Sequence, residues 1–377
     1  MKPKLNAMRH ILSTAAAAIA VTIAAASCSD LRTVATLSQV GEDKYLYSMD
    51  YLSEYDLDEL IENDIDENVE LLTFVTKKIT RGLYTPKAPK AEADTQGFNC
   101  TSFQVLKADG DGYWYGRNYD FYKNPTLVIT SRPKNGYASI STCDLAHIGL
   151  GLDKLPDKFV NKVFCLAAIY APMDGINEKG LCTSIMALPK QPSQQDTEKH
   201  DVGTSILMRL FLDRCATVQE ALDLAEQFDI RHDAKAGSGY HYMVADASGD
   251  CAVIEFDKED GWKTMVVRKS ADSTYMHVTN HLLSPKYYTT EPDVAVGNPH
   301  SKSWWRYETV ADYMVSHNGR LTFEEAQECL AKVHWVDLVW EDGTIEDTQW
   351  SNVYDQQEIS LGIRHWNNYE NTVKFTL

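Results

Sequence analysis

The chain has 377 residues, 44% hydrophobic and 24% charged, which suits one large globular domain or two smaller ones. Its formal net charge of −18 argues against a nucleic-acid partner, because such binders carry a basic face. Neither a Cys-x-x-Cys nor a His-Glu-x-x-His occurs, so the common dithiol and zinc motifs are absent.

The N-terminus reads as an export signal. Lys2, Lys4 and Arg9 form a basic start, Ile11 to Ala26 an Ala-rich apolar run, and small residues precede Cys28. Small residues directly before a cysteine also resemble a bacterial lipobox. In that reading residues 1–28 form the signal, and Cys28 becomes a lipidated anchor to a membrane. The other reading is cleavage near Ala26 or Ser27. Both send the protein to the periplasm or cell surface, where disulfides are permitted. Of the eight cysteines, several sit in apolar runs such as "KVFCLAAIY", so buried thiols and disulfides both stay open.

Residues 29–99 differ in character from the rest of the chain. The stretch "EYDLDELIENDIDENVE" is strongly acidic, yet Leu57, Leu60, Ile61 and Ile65 recur at helical spacing. That pattern predicts an amphipathic helix with an acidic outer face. "YTPKAPKAEADTQG", over residues 84–97, reads as an exposed linker of the kind that tolerates a chain break.

From Cys100 the pattern is mixed. Strands are expected over 101–107, 113–117, 125–131, 163–170, 181–187, 240–246, 251–257, 262–268, 275–280, 348–354, 358–364 and 371–377. Many are joined by short turns such as "ASGD" and "KEDG", which makes antiparallel hairpins. Helices are expected over 204–214, 218–228, 303–316 and 323–333. Two begin with capping boxes, Thr217 with Glu220 and Thr322 with Glu325. Runs of strands with clustered helices favour a layered α+β domain over a doubly wound parallel sheet.

The first hairpin carries candidate chemistry. Cys100 opens a strand, Asp109-Gly110-Asp111-Gly112 makes the turn, and the return strand brings Arg117 and Asp120 back towards the thiol. A nearby cation favours the thiolate, so this arrangement can be reactive. The same residues also fit a core cysteine beside a structural ion pair.

Five motifs in order, "NCTSF", "GRNYDF", "DGINEKGL", "VTNH" and "SWWRY", resemble the choloylglycine hydrolase family of linear amide C–N hydrolases. That family includes bile salt hydrolases and penicillin V acylases, with acid ceramidase similar. The resemblance runs from Cys100 to near the C-terminus. It implies an N-terminal nucleophile fold, an αββα four-layer sandwich with two stacked antiparallel sheets, over residues 100–377. It also implies that residues 29–99 are a propeptide removed by a cut between Asn99 and Cys100. The freed α-amino group, with a pKa of ~7.7–8.0, then serves as the base for its own thiol. By the same resemblance, Arg117 favours the thiolate and holds the aspartate, and Asp120 receives the new amino group. Asn280 stabilises the oxyanion, Arg306 supports the site, and Asn177 builds a structural turn. Asp174 is expected to cap a turn, and Trp304 and Trp305 to pack.

The activity implied is hydrolysis of a small-molecule N-acyl amide such as an N-acyl amino acid, an N-acyl amine, a conjugated bile acid or penicillin V. Neither metal nor cofactor is implied, and self-association stays open. One departure weakens the bile-salt assignment, since Met186 and Ala187 stand where those enzymes carry an asparagine. Two other functions remain, an acyltransferase on the same scaffold and a non-catalytic ligand-binding lipoprotein.

Overall fold

The computed structural model describes residues 27–80, 82, 99–189, 192–234, 238–288, 303–339, 343 and 345–377. The signal segment before Ser27 and the linker over 84–97 lie outside these residues.

The hairpin that opens at Asn99 forms as its alternation and glycine-rich turn require. Strand β3 (Asn99–Lys107) pairs antiparallel with β4 (Tyr113–Phe121), with Cys100 opposite Tyr119 and Ser102 opposite Arg117. Gly116 faces Phe103, and a Cβ there would lie 2.2 Å from the ring, so only glycine lets the aromatic lie flat on β4. Beyond β4 lie β17 (Ile345–Asp355), β18 (Ser360–His365) and β19 (Val373–Thr376), and β14 (Tyr275–Val278) flanks β3. The short strands β15 (Arg320–Leu321) and β16 (Leu338–Val339) complete this eight-stranded sheet.

The second sheet has nine strands. Its order is β1 (Ser38–Gln39), β2 (Leu46–Tyr51), β5 (Thr126–Ser131), β6 (Ser139–Asp144), β7 (Asp174–Asn177), β8 (Cys182–Pro189), β11 (Ser238–Ala245), β12 (Cys251–Asp257) and β13 (Lys263–Arg268). A separate parallel pair, β9 (Asp201–Gly203) and β10 (Asp229–Arg231), brackets two helices.

The two sheets stack face to face, so strands such as β4 and β17 are buried on both sides. Their polar side chains must then find partners across the interface. Ser102 meets Ser184 at 2.8 Å, and the Asn352 amide donates to the Thr142 hydroxyl at 2.9 Å. Helices close the outer faces. On the nine-stranded sheet, Asn177 donates to the carbonyls of Leu212 and Cys215, tying β7 to the helix Thr204–Arg214. On the other sheet lie the helices Ser303–Ser316 and Phe323–Lys332. The second is held by Asn118 donating to the Leu330 carbonyl and Gln327 donating to that of Gly362. The result is the expected αββα sandwich, and Asn177 shapes the β7–β8 turn as foreseen.

Several local expectations differ. The segment 163–170 is helical: Phe159–Phe164 is an α-helix and Cys165–Tyr170 a tighter helical turn. A continuous apolar run fits a buried helix as well as a buried strand, so periodicity alone could not separate them. Strand β6, "SISTCD", has no apolar alternation because both its faces are buried; Ser139, for example, bonds Ser131 at 2.9 Å. The Thr322 capping box closes fully, whereas Glu220 accepts from the Ala216 amide instead of the Thr217 one. All eight cysteines are free thiols, and only Cys28 is exposed.

The acidic segment after Cys28 is integrated into the sandwich. Strand β2 pairs in parallel with β5, from Leu46 opposite Thr126 to Tyr51 opposite Ser131. The expected amphipathic helix divides into Leu57–Ile61 and Asn68–Ile79, while Leu57, Leu60, Ile61 and Ile65 are all buried. Tyr55 donates to Asp213 at 3.0 Å, joining the buried Arg209–Asp213 pair, and Tyr51 donates to the Leu166 carbonyl. The sequence change near residue 99 is therefore no packing boundary. Leu46→Ala is expected to destabilise the Cys100→Ala chain by about 2–5 kcal/mol in urea unfolding, as for other fully buried leucines.

Candidate active site

Cys100 is the second residue of β3 and has no exposure to solvent. Three of its groups are engaged. Its amide N–H donates to Asn280 Oδ1 at 2.7 Å, its carbonyl accepts from the Arg306 guanidinium, and its thiol lies 3.7 Å from the Ile185 carbonyl. Arg117 Nη2 donates to that same carbonyl at 2.6 Å, so cation and thiol meet at one oxygen of β8. Asp120 pairs in register with Asn99 and accepts from Thr348 Oγ1 at 2.6 Å. Its second oxygen lies 3.9 Å from Arg306 Nη1 and has no hydrogen-bond partner among the described residues.

Asn280 follows β14, and Ser303 fixes its position. The Ser303 hydroxyl accepts the Asn280 amide N–H at 2.8 Å and contacts Thr279 Oγ1 and His281 Nδ1, both at 2.8 Å. Ser303 also opens the helix that carries Arg306, so one hydroxyl ties both residues to the site. Asn280 Oδ1 accepts from Arg306 Nη2 at 2.8 Å as well as from Cys100. Its Nδ2 donates to the Ala187 carbonyl at 2.8 Å. Two donors on one side and an acceptor on the other set the orientation of the amide. Asn280 thus turns its oxygen to the Cys100 N–H, and an N–H of its side-chain amide is held by β8.

Burial pushes the Cys100 thiol up to about 12, against the pull of Arg117. It also raises the Asp120 carboxyl to about 6, opposed by Arg306, Thr348 and Arg117. The thiol is accordingly protonated at neutral pH, and the carboxylate is a base poised near neutrality.

All five residues expected at the site, Cys100, Arg117, Asp120, Asn280 and Arg306, converge. One pairing differs from expectation. Arg117 forms its ion pair with Asp174, at 3.7 Å, and Arg306 is the arginine near Asp120. Asp174 does not cap a turn. It is fully buried in β7 and accepts from Trp350 Nε1 at 2.8 Å, Asn352 Nδ2 at 2.7 Å and the Tyr354 hydroxyl. It begins the "DGINEKGL" motif, which was the signal available for it. Glu346 carries no motif and went unrecognised; both its oxygens accept from Asn99 Nδ2, at 2.9 and 3.1 Å. Trp304 packs as expected, whereas Trp305 is 45% exposed. Cys28 begins the helix Cys28–Thr36, outside this cluster.

Two stacked, mostly antiparallel sheets between helical layers, with a cysteine near the start of a central strand, are the fold of the N-terminal nucleophile class of enzymes. The chain belongs to the family described as acyl-coenzyme A:6-aminopenicillanic acid acyl-transferase, whose sequence model matches residues 106–361. That match begins just after Cys100. Among solved structures, a mutant conjugated bile acid hydrolase from Clostridium perfringens aligns with a TM-score of 0.54 at 18% identity. The alignment covers 74% of this chain and 92% of the other. A second variant of that hydrolase aligns over the same shares with a TM-score of 0.53 and 18% identity. The penicillin V acylase from Agrobacterium tumefaciens gives a TM-score of 0.48 at 18% identity, covering 71% of this chain and 83% of its own.

Removing Asp174 would strand the buried Arg117 charge. Asp174→Ala is expected to cost roughly 3–5 kcal/mol in urea unfolding of the Cys100→Ala chain. A loss below about 1 kcal/mol, within the range of an exposed pair, would show that Arg117 is compensated elsewhere.

Proposed function

We propose that the protein is an exported cysteine amidase that cuts its own Asn99–Cys100 bond and then hydrolyses the C–N bond of linear N-acyl amides. The observation that carries this reading is the convergence on one residue: the N–H, C=O and thiol of Cys100 are each addressed by a buried partner.

In the first stage the thiol proton passes to the Cys100 nitrogen that will leave, and Arg117 stabilises the thiolate. Sulfur attacks the Asn99 carbonyl carbon, a C–S bond forms, and the C–N bond breaks. The Cys100 nitrogen leaves as an amine after taking a proton. Water then hydrolyses the thioester, releasing the Asn99 carboxylate and restoring the thiol. The new amino group has two acceptors at hand, Asn280 Oδ1 and the second oxygen of Asp120. In the second stage this amine takes over as base, and a substrate acyl group passes through the same thioester.

Substrate classes in keeping with this chemistry are N-acyl amino acids, N-acyl amines, conjugated bile acids and penicillin V. Met186 and Ala187 offer no side-chain amide to the site, which argues for acyl amides other than bile salts. The family description favours a second reading in which an amine, not water, takes the acyl group. Product analysis with an added amine acceptor separates the two.

Export and lipidation form part of the same reading. Cys28 is exposed at a helix start, and the segment after it is hydrogen-bonded to β5. A lipid on Cys28 would then hold the cut enzyme at a membrane through that strand pairing.

Intact mass and N-terminal sequencing test the first stage. The wild-type chain is expected to yield a species starting at Cys100, and Cys100→Ala to remain uncut; an uncut wild type would favour the ligand-binding lipoprotein. Because an ionised Asp120 favours release of the cationic amine, the rate of cutting should rise as pH increases through about 6. A flat profile between pH 5 and 7 would remove Asp120 from that role. The cut enzyme should instead gain amidase activity as pH rises through ~7.7–8.0, where an α-amine deprotonates.

A further inference from the structure

We propose that Glu346 and Arg306 form a recognition site for the carboxamide side chain of the residue before the cut, so that the chain reads Asn99 as a condition of its own cleavage. This inference rests on the self-cutting reading above.

The geometry fits a primary carboxamide. Asn99 is 4% exposed, and its side chain is held at both ends. Nδ2 donates to Glu346 Oε1 at 2.9 Å and Oε2 at 3.1 Å, and Oδ1 accepts from Arg306 Nη2 at 3.2 Å. The backbone N–H of Asn99 also points to Glu346 Oε1, at 3.4 Å. A carboxylate on one side and a guanidinium on the other demand a group with donors at one end and an acceptor at the other. A carboxamide has both, an Asp carboxylate lacks the donors, and an Ala methyl lacks either.

The topology explains how Glu346 reaches Asn99. The pairing of β17 with β4 starts at Asp347 opposite Phe121, and β4 separates β17 from β3. Glu346 lies one residue beyond that pairing and extends past the end of β4. It meets Asn99, which stands opposite Asp120. The site also brackets the reacting bond, because Arg306 holds the Asn99 side chain on one side of it and the Cys100 carbonyl on the other, and the Glu346 charge attracts Arg306. Glu346 is therefore a positioning residue for cleavage. It fixes the residue that supplies the carbonyl, together with the arginine beside it.

A charge-swap experiment tests this. The full chain is made by cell-free translation, and cutting is followed by intact mass over time for wild type, Asn99→Asp, Glu346→Gln and the double variant. Asn99→Asp sets a carboxylate against Glu346 and is expected to cut about tenfold more slowly or worse. Adding Glu346→Gln supplies an amide donor to the new carboxylate, so the double variant should cut several-fold faster than Asn99→Asp alone. A double variant no faster than Asn99→Asp, or Asn99→Asp cutting at the wild-type rate, overturns the proposal. Should Asn99→Asp fail to fold, Glu346→Ala on the native Asn99 carries the test. It should cut at least about tenfold more slowly while its circular-dichroism spectrum stays that of the folded chain, and a wild-type rate overturns the inference. A wild-type chain that is never cut defeats the self-cutting reading and this inference together. A wild type that is cut without the rescue defeats this inference alone.

Discussion

Two guanidinium groups with no access to water, those of Arg117 and Arg306, flank Cys100, and the site is organised by the need to compensate them. A buried unpaired charge is too costly to persist, so each arginine requires a carboxylate and fixed oxygen acceptors. Arg117 draws on Asp174 and the Ile185 carbonyl. Asp174 is in turn fixed by Trp350, Asn352 and Tyr354, all from β17 of the opposite sheet. Arg306 draws on Asp120, Asn280 and the Cys100 carbonyl. The contacts that satisfy these charges also fix the atoms that surround Cys100.

The same burial acts on the thiol itself. A thiol pushed up to about 12 is a weak nucleophile at neutral pH, and no α-amine exists while Cys100 is bonded to Asn99. Asp120, raised to about 6, is the group nearby whose protonation is balanced near neutrality. Cleavage would exchange a buried peptide for a cationic amine beside that carboxylate. The electrostatics of the cut and uncut states must therefore differ, even with the scaffold unchanged.

The segment after Cys28 changes the meaning of a cut before Cys100. Because β2 continues the nine-stranded sheet and Tyr55 joins the buried Arg209–Asp213 pair, a break in the chain would remove none of those contacts directly. Its acidic residues Asp56, Asp58 and Glu59 face solvent while Leu57, Leu60 and Ile61 face the core. An acidic composition here marks a solvated face and not a separable domain.

Local chemistry was sufficient to read much of this protein. The hairpin from Cys100 to Asp120 and the fully formed Thr322 capping box follow from motifs whose physics is short-range, whereas the expectation that Asn280 and Arg306 stand beside Cys100 came from the family resemblance. The strand β6 and the helical stretch 163–170 were not legible, because burial on both faces erases the alternation that identifies an element. The parallel joining of β2 to β5, the assignment of Asp174 to Arg117 and the meeting of Glu346 with Asn99 link residues far apart in the chain. Such partnerships depend on which strands the sheet sets side by side. Residue type and spacing determined the hairpin that brings a cysteine, an arginine and an aspartate together; only the packing of sheets and helices decided which charge answers which, because those partners lie far apart in the chain.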